Sequence, residues 1–239
     1  MAVTKKVVEC AKEDCFLCKH ISADWLEMVR LKREVLTFSK KEVIFHEDEQ
    51  VDGIFFILKG KVKVETKWGD RGYIVRLAKD GDILGHRGFG LNDVYPVSAI
   101  ALEPTSVCFI PTTLFLQLLK TNTDFLYHLT FFYADELKRT ERRMKNLVNM
   151  SVKGRMAETL LYIEEVFGMD EAGLLQYSLS RKDMAALTGT VYETVIRMLN
   201  ELVKDGCISL EDRDIRILDA DKMRAFCDHV KTKTPSSGA

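Results

Sequence analysis

Two groups of residues in this chain are spaced to do chemistry. The first is Glu193-x-x-x-Arg197. Residues four apart lie on one face of a helix, so a carboxylate and a guanidinium would project side by side. Either they pair with each other as a surface salt bridge, or they point outward and read bases. In the second case the arginine donates twice to guanine, and the glutamate accepts from the amino group of cytosine. The second group is Cys10-x4-Cys15-x2-Cys18 with a distant Cys108. Four thiolates in that spacing match plant-type iron–sulfur ligation. Cys10, Cys15 and Cys18 with His20 also form a Cys3His set of the kind that holds zinc. Two further readings stand beside these: a thiol switch, and Cys108 as a small buried hydrophobe.

The elements around Glu193 and Arg197 follow from capping and periodicity. Residues 180–189 read as a short helix with Ser180 as N-cap, Asp183 completing a short-armed capping box, and Gly189 as the stop. A second helix follows at 191–203, closed by Lys204-Asp-Gly206, with apolar residues at Val195, Met198, Leu199 and Leu202. Met184, Leu187 and Thr188 give the first helix a matching face. Two short helices joined at a glycine form a helix-turn-helix pattern. Residues 207–210 and 214–218, split by Glu211-Asp-Arg213, read as a β-hairpin wing.

Upstream, residues 152–167 read as a helix, and residues 123–150 as a long one. Its apolar positions Leu126, Leu129, Tyr133, Leu137, Met144 and Leu147 keep three- and four-residue intervals, with Thr140 filling one slot. This suits a coiled-coil seam and a two-fold dimer. The alternative is a helix lying on its own β-domain. From residue 34 to 111 the period changes to short β-branched and aromatic runs at 43–45, 53–58, 61–65, 73–77 and 106–110. Asp52-Gly53, Lys59-Gly60, Gly69-Asp70 and Asp80-Gly81-Asp82 punctuate them. Many short strands at regular spacing predict a jelly-roll-like double sheet. A capped helix precedes it at 22–30, and the polar stretch 231–239 reads as a disordered tail.

A length of 239 residues favours two domains, and 46% hydrophobic with 30% charged residues is ordinary for a globular protein. The apolar runs 97–102 and 129–133 are too short to span a bilayer, and the first ten residues lack the apolar centre of a signal peptide. A cytoplasmic protein with no membrane partner is expected. The net charge of −1 means that any nucleic acid must be met by local cations. Lys138, Arg139, Arg142, Arg143, Lys145, Lys153 and Arg155 stand against Glu141 alone, a run best read mostly as a solvated helix face. An enzyme of the cupin type would need clustered histidine and carboxylate ligands. His46, His86 and His128 are scattered, and a non-enzyme is expected.

Ser180-Arg181, Gly189, Glu193-Thr194, Arg197, Gly206 and Ile208 resemble, position by position, the winged helix of the CRP/FNR family of bacterial transcription factors. The resemblance covers nearly the whole chain. Phe55-Phe-Ile-Leu-Lys-Gly60 with Lys61-Val-Lys-Val is similar to the family roll's glycine turn, and Gly81-Asp-Ile-Leu-Gly85 to the start of its phosphate cassette. The stretch Ala101 to Pro111 is similar to the last roll strand in its FNR-branch form. The resemblance implies an α+β fold: an N-terminal β-roll (a double-stranded β-helix or jelly roll of the cyclic-nucleotide-binding type), a long dimerisation helix, and a C-terminal winged helix-turn-helix. The corresponding segments are 1–21 with the cysteines, 22–122, 123–150, 151–230 and the tail 231–239.

In function, the resemblance implies a homodimeric regulator of transcription that binds a near-palindromic operator in double-stranded DNA, and that touches RNA polymerase if it activates. Ser180, Arg181, Lys182, Tyr192, Glu193, Thr194 and Arg197 are the implied DNA-binding residues. Tyr192 and Ile196 depart from the family's recognition helices, which implies a half-site of its own. Cyclic-nucleotide binders carry Glu after the cassette glycine and Arg-Ser about ten residues later. Here these positions hold His86 and the Tyr95-Pro96-Val97 stretch, with Arg87 and Asp93 as the only charged residues expected nearby, so cyclic AMP is not the expected effector. Gly85, His86 and Arg87 are the candidate effector-pocket residues, with His86 expected at the surface, at the mouth of the roll. In the FNR branch, N-terminal cysteines and one roll cysteine hold an oxygen-sensitive cluster. Cys10, Cys15, Cys18 and Cys108 would be that set, at a spacing different from the FNR pattern. The signal then acts either at these cysteines or through a small molecule in the roll, with no metal. A cyclic-nucleotide module without DNA binding is the remaining rival.

Overall fold

β-branched and aromatic runs favour strands because their side chains pack on a pleated, half-buried surface. In the computed structural model, which describes residues 15–69, 71–90 and 93–227, they form β1 (Glu34–Phe38), β2 (Val43–Phe45), β3 (Gly53–Lys59), β4 (Val62–Trp68), β5 (Arg71–Ala78), β6 (Ile83–Leu84), β7 (Ser98–Ala101) and β8 (Thr105–Pro111). Two four-stranded sheets result, in the orders β1-β8-β3-β6 and β2-β7-β4-β5, with antiparallel pairing throughout. Phe38, Phe45, Phe55, Ile57, Val64 and Val107, drawn from both sheets, share one core with Tyr95, which lies between β6 and β7.

The first sheet is buried on both of its faces. In β3, Phe55 and Ile57 belong to the core between the sheets. The intervening Ile54, Phe56 and Leu58 pack with Cys108 and Ile110 against helices. Those helices are α1 (Phe16–His20), α2 (Ala23–Lys32), α3 (Thr112–Thr121) and α4 (Thr123–Asn149), which contribute Leu17, Val29, Leu114, Phe115, Leu118, Phe125 and Leu129. Alternation puts successive side chains on opposite faces, which is why β3 reads as a continuous apolar run until Lys59. Gly60 then turns the chain at φ +124, and a Cβ there would stand 2.4 Å from Thr105 Oγ1. Only glycine fits both the angle and the space.

The expected strands are all present, offset by a few residues. β1, β6, β7, α1, α3 and a last helix at Ala220–Cys227 are additional. Leu129 does not belong to the apolar seam expected along α4. It is 3% exposed and lies in the core under the first sheet, whereas Leu126, Tyr133, Leu137, Met144 and Leu147 are exposed. The helix therefore has two apolar faces, one against the roll and one open.

The chain divides into two compact units, the first ending at Glu141 and the second starting at Arg142. The second holds α5 (Val152–Phe167), α6 (Arg181–Thr188), α7 (Tyr192–Lys204), the hairpin β9 (Ile208–Glu211) and β10 (Asp214–Ile217), and α8 (Ala220–Cys227). Met156, Leu160, Ile163, Met184, Val195, Leu202, Ile208, Ile215 and Met223, each at most 1% exposed, make its core. Ser151 caps α5 by accepting from Gly154 N at 3.1 Å. No helix among the described residues is long and apolar enough to cross a membrane. Cys10 and the expected tail 231–239 lie outside the described residues.

Candidate nucleic-acid interface and sensor cleft

In the second unit, α6 starts where Ser180 Oγ accepts from Asp183 N at 3.0 Å, while its hydroxyl donates to the Asp183 carboxylate at 2.6 Å. This is the short-armed capping box, with the carboxylate bonded to the serine hydroxyl itself. Gly189 ends the helix in the left-handed region at φ 69. The turn is held from behind: Thr188 and Thr159 share a hydroxyl–hydroxyl bond of 3.0 Å, and Arg155 donates through Nε to Thr188 O and through Nη1 to Met150 O.

In α7, Val195, Met198, Leu199 and Leu202 are all buried, at 6% exposure or less. A 3.6-residue period then forces the intervening residues outward. Glu193, Ile196, Arg197 and Asn200 are exposed, Tyr192 is 49% exposed, and Thr194 is half-buried. Among the described residues no ion pair joins Glu193 to Arg197. Ser180 and Lys182 are exposed at the start of α6. Arg181 is half-buried, its Nη1 is 3.6 Å from Met184 Sδ, and burial lowers its pKa.

The hairpin closes on Asp212 and Arg213, with Asp212 at φ 54. Arg216 is clasped by Glu211 at 2.7 and 3.1 Å and also donates to Ala172 O. Arg213 stays exposed at the hairpin tip, a position that sequence reasoning placed only in a turn. The expected basic run divides by role. Lys138 and Arg139 lie beside Asp135 and Glu136, Arg143 sits over the Tyr162 ring, and Lys153 pairs with Asp205 and covers Phe226. Arg155 caps carbonyls.

In the first unit, Gly85 at φ 81 turns the chain after β6 into a 3-10 turn, His86–Gly88. Gly85, His86 and Arg87 line a narrow cleft with room for about one water molecule, together with Phe45, Arg76, Leu84, Tyr95, Pro96 and Val97. His86 is not at the surface, as the sequence suggested, but 3% exposed. The rings of Phe132 and Tyr133 on α4 meet it edge-on, at 4.9 and 5.7 Å. Neither imidazole nitrogen has a hydrogen-bond partner. Burial, then Arg76 and Arg87, lower its pKa well below the usual histidine value; the Ile83 carbonyl, outside hydrogen-bond geometry, opposes them.

The expectation of Arg87 and Asp93 as the only nearby charges is also corrected. Arg76 of β5, 6% exposed, reaches the cleft wall and donates to Ile83 O at 2.9 Å. Strand pairing brings it there, and local sequence carries no sign of that. α4 bonds to the same wall. Tyr133 donates to His86 O at 2.6 Å, and Arg87 Nη2 meets Glu136 Oε2 at 2.8 Å. Burial pushes the Tyr133 hydroxyl up to about 12.

Cys15 and Cys108 are each 2% exposed and share one core, with Cys18 packed against it. Among the described residues no three of His, Cys, Asp or Glu are arranged to hold a metal ion. The described residues therefore do not complete the set expected for a cluster or for zinc. His20 stacks on His128 at 3.8 Å.

Residues 35–122 match the family of the cyclic nucleotide-binding domain, and residues 154–226 that of the Crp-like helix-turn-helix domain. The chain is 29% identical over 181 residues to the cAMP-activated global transcriptional regulator CRP of Pasteurella multocida, covering 74% of this chain and 87% of that protein. It is 25% identical over 189 residues to the CRP-like cAMP-activated regulator of Mycobacterium tuberculosis, covering 78% and 84%. Among solved structures, FixK2 of Bradyrhizobium japonicum superposes with a TM-score of 0.73 at 23% identity, over 82% of this chain and 98% of that one. A CRP/FNR-family transcriptional regulator of Thermus thermophilus superposes with a TM-score of 0.67 at 25% identity, over 81% and 98%.

Proposed function

This chain belongs to the CRP/FNR family of transcription regulators, with a helix-turn-helix DNA-binding domain, and from that premise we propose that it acts as a homodimer reading a near-palindromic operator through α7. The observation that carries the reading is the open face of α7. Its apolar stripe is fully buried, which leaves Glu193 and Arg197 exposed and without an ion pair between them. Arg197 donates to guanine and Glu193 accepts from cytosine in the major groove. Ser180, Arg181, Lys182, Tyr192 and Thr194, with Arg213 at the wing tip, fix the register on the phosphates.

Dimerisation uses the open apolar face of α4. Leu137 and Met144 are 61% and 64% exposed, and Leu126, Tyr133 and Leu147 join them at heptad-compatible spacing. A pair of such helices gives the two-fold that matches a palindrome and sets the recognition helices one DNA turn, ~34 Å, apart. The protein works in the cytoplasm and contacts RNA polymerase where it activates.

The controlling signal enters at the cleft lined by Gly85, His86 and Arg87. By their names the curated relatives are activated by cAMP. In this chain His86, Pro96 and Val97 stand where cyclic-nucleotide binders place Glu and Arg-Ser, so cAMP is not carried over. Oxygen or redox sensing through Cys10, Cys15, Cys18 and Cys108 is the second reading, supported by the packing of Cys15, Cys18 and Cys108 about one core. Gel shift against genomic fragments tests DNA reading: a discrete shift with an inverted-repeat footprint is expected, and indifference to all duplexes overturns it. Anaerobic purification with an iron and sulfide assay tests the cysteines. A brown, air-bleached protein supports them, and a colourless one with full operator affinity removes the cluster.

A further inference from the structure

We propose that Ile196 reads sequence: its side chain packs on the C5-methyl group of one thymine in each half-site, beside the base pairs read by Glu193 and Arg197. The proposal rests on the reading of α7 above and adds to it a determinant of operator sequence.

Single exposed apolar side chains are ordinary on protein surfaces, so the setting of Ile196 matters more than its exposure. α7 buries its apolar stripe in Val195, Met198, Leu199 and Leu202, none of them more than 6% exposed. Ile196 stands outside that stripe, 40% exposed. Helical spacing makes Glu193, three residues before it, and Asn200, four after it, its neighbours on the helix surface. Both are exposed, as is Arg197. An apolar side chain thus sits inside the polar face that meets the groove.

The helix itself does not favour isoleucine there. The β-branch restricts χ1 against the preceding turn and makes isoleucine a poorer helix former than alanine, leucine, lysine or glutamine. Apolar surface left in water gains none of the free energy of burial. Burial against a partner offsets both. The stiffness then helps, because a side chain already held in one rotamer loses little freedom on binding.

The major groove offers that partner in one form. Guanine presents two acceptors, cytosine an amino donor, and adenine an acceptor and a donor; thymine alone adds a methyl group to its carbonyl. Over any other base, Ile196 would cover polar edge atoms without bonding them and leave them unpaired. The residues of a recognition helix that reach base edges are those near its N-terminus, and Ile196 is the fifth of the 13 residues of α7. Neighbours on a helix surface are about 5–6 Å apart between Cβ atoms, and successive bases on a strand about 3.4 Å. The thymine therefore lies within about two base steps of the pairs that Glu193 and Arg197 read.

The test uses the full chain and operators enriched from randomised duplexes by gel shift. Each thymine of the enriched half-site is replaced in turn by deoxyuridine, which lacks only the C5-methyl group. One thymine should be sensitive, losing roughly fourfold in affinity, the effect of one buried methyl. With uracil in both half-sites the loss should reach roughly fifteenfold, since distant sites add in free energy. The sensitive thymine should lie within about two steps of the pair whose preference Arg197→Ala relaxes. Ile196→Ala, with a better helix former at an exposed position, should keep the native circular dichroism spectrum and bind thymine and uracil operators alike. A mere packing role for Ile196 lowers affinity for both operators by one factor and leaves their ratio unchanged, which overturns the proposal. Wild-type indifference to uracil at every position overturns it too. So does a penalty that survives Ile196→Ala, and its disappearance in Tyr192→Ala would then assign the methyl to the tyrosine ring. Failure to enrich any sequence removes the operator reading itself, whereas enrichment without a methyl-sensitive thymine removes only the role of Ile196.

Discussion

Arg197 and Glu193 stand on the face of α7 opposite four buried apolar side chains, so replacing them leaves the packing of the helix untouched. Arg197→Ala should therefore cost roughly 1–3 kcal/mol of operator binding and relax preference at one base pair. Equal losses on every duplex in a binding series would reassign Arg197 to the phosphates. His86 makes a second prediction, with a definite sign. Its pKa is depressed in the fold by burial and by Arg76 and Arg87, while the unfolded chain titrates near 6.5. Below that pH the unfolded state binds the extra proton, so stability falls as pH drops from about 7.5 to about 5.5. Urea midpoints at the two pH values measure it, and His86→Phe should flatten the difference.

Single elements carry the next predictions. Ser180→Ala removes the hydroxyl that accepts from Asp183 N and should cost about 0.5–2 kcal/mol in denaturant unfolding. In α4, Leu137 is 61% exposed. Leu137→Glu should leave helicity unchanged but weaken self-association at least tenfold, or about 1.4 kcal/mol, in sedimentation equilibrium. Undiminished association would move the dimer contact elsewhere. The same elements show what the sequence made legible. The stripe of α7, the Ser180 cap and the Gly189 stop are local signals, and period and capping chemistry announce them. The burial of His86, the arrival of Arg76 and the double-faced nature of α4 are not local. Arg76 reaches the cleft because β5 pairs with β4, and Leu129 faces inward because α4 lies under a sheet whose strands come from residues 34 to 111. α1 and α3 escaped notice because Cys15 and Pro111, which precede them, make no side-chain cap.

For the whole molecule, a net charge of −1 places the burden of DNA binding on few cations. Operator affinity should fall log-linearly with salt at a slope near −0.9 per phosphate contact. Arg213→Ala should lower that slope by about one without altering base preference. β3 is an inner strand of the first sheet. That strand is hydrogen-bonded to β8 on one side and to β6 on the other, and only Lys59 at its end reaches water. Its amides should be the slowest in the molecule to trade hydrogen for deuterium, opening only when the roll comes apart as a whole. Exchange measured there would report the roll's global stability, including any gain from an occupied cleft, while the surface loops would register only their own fraying.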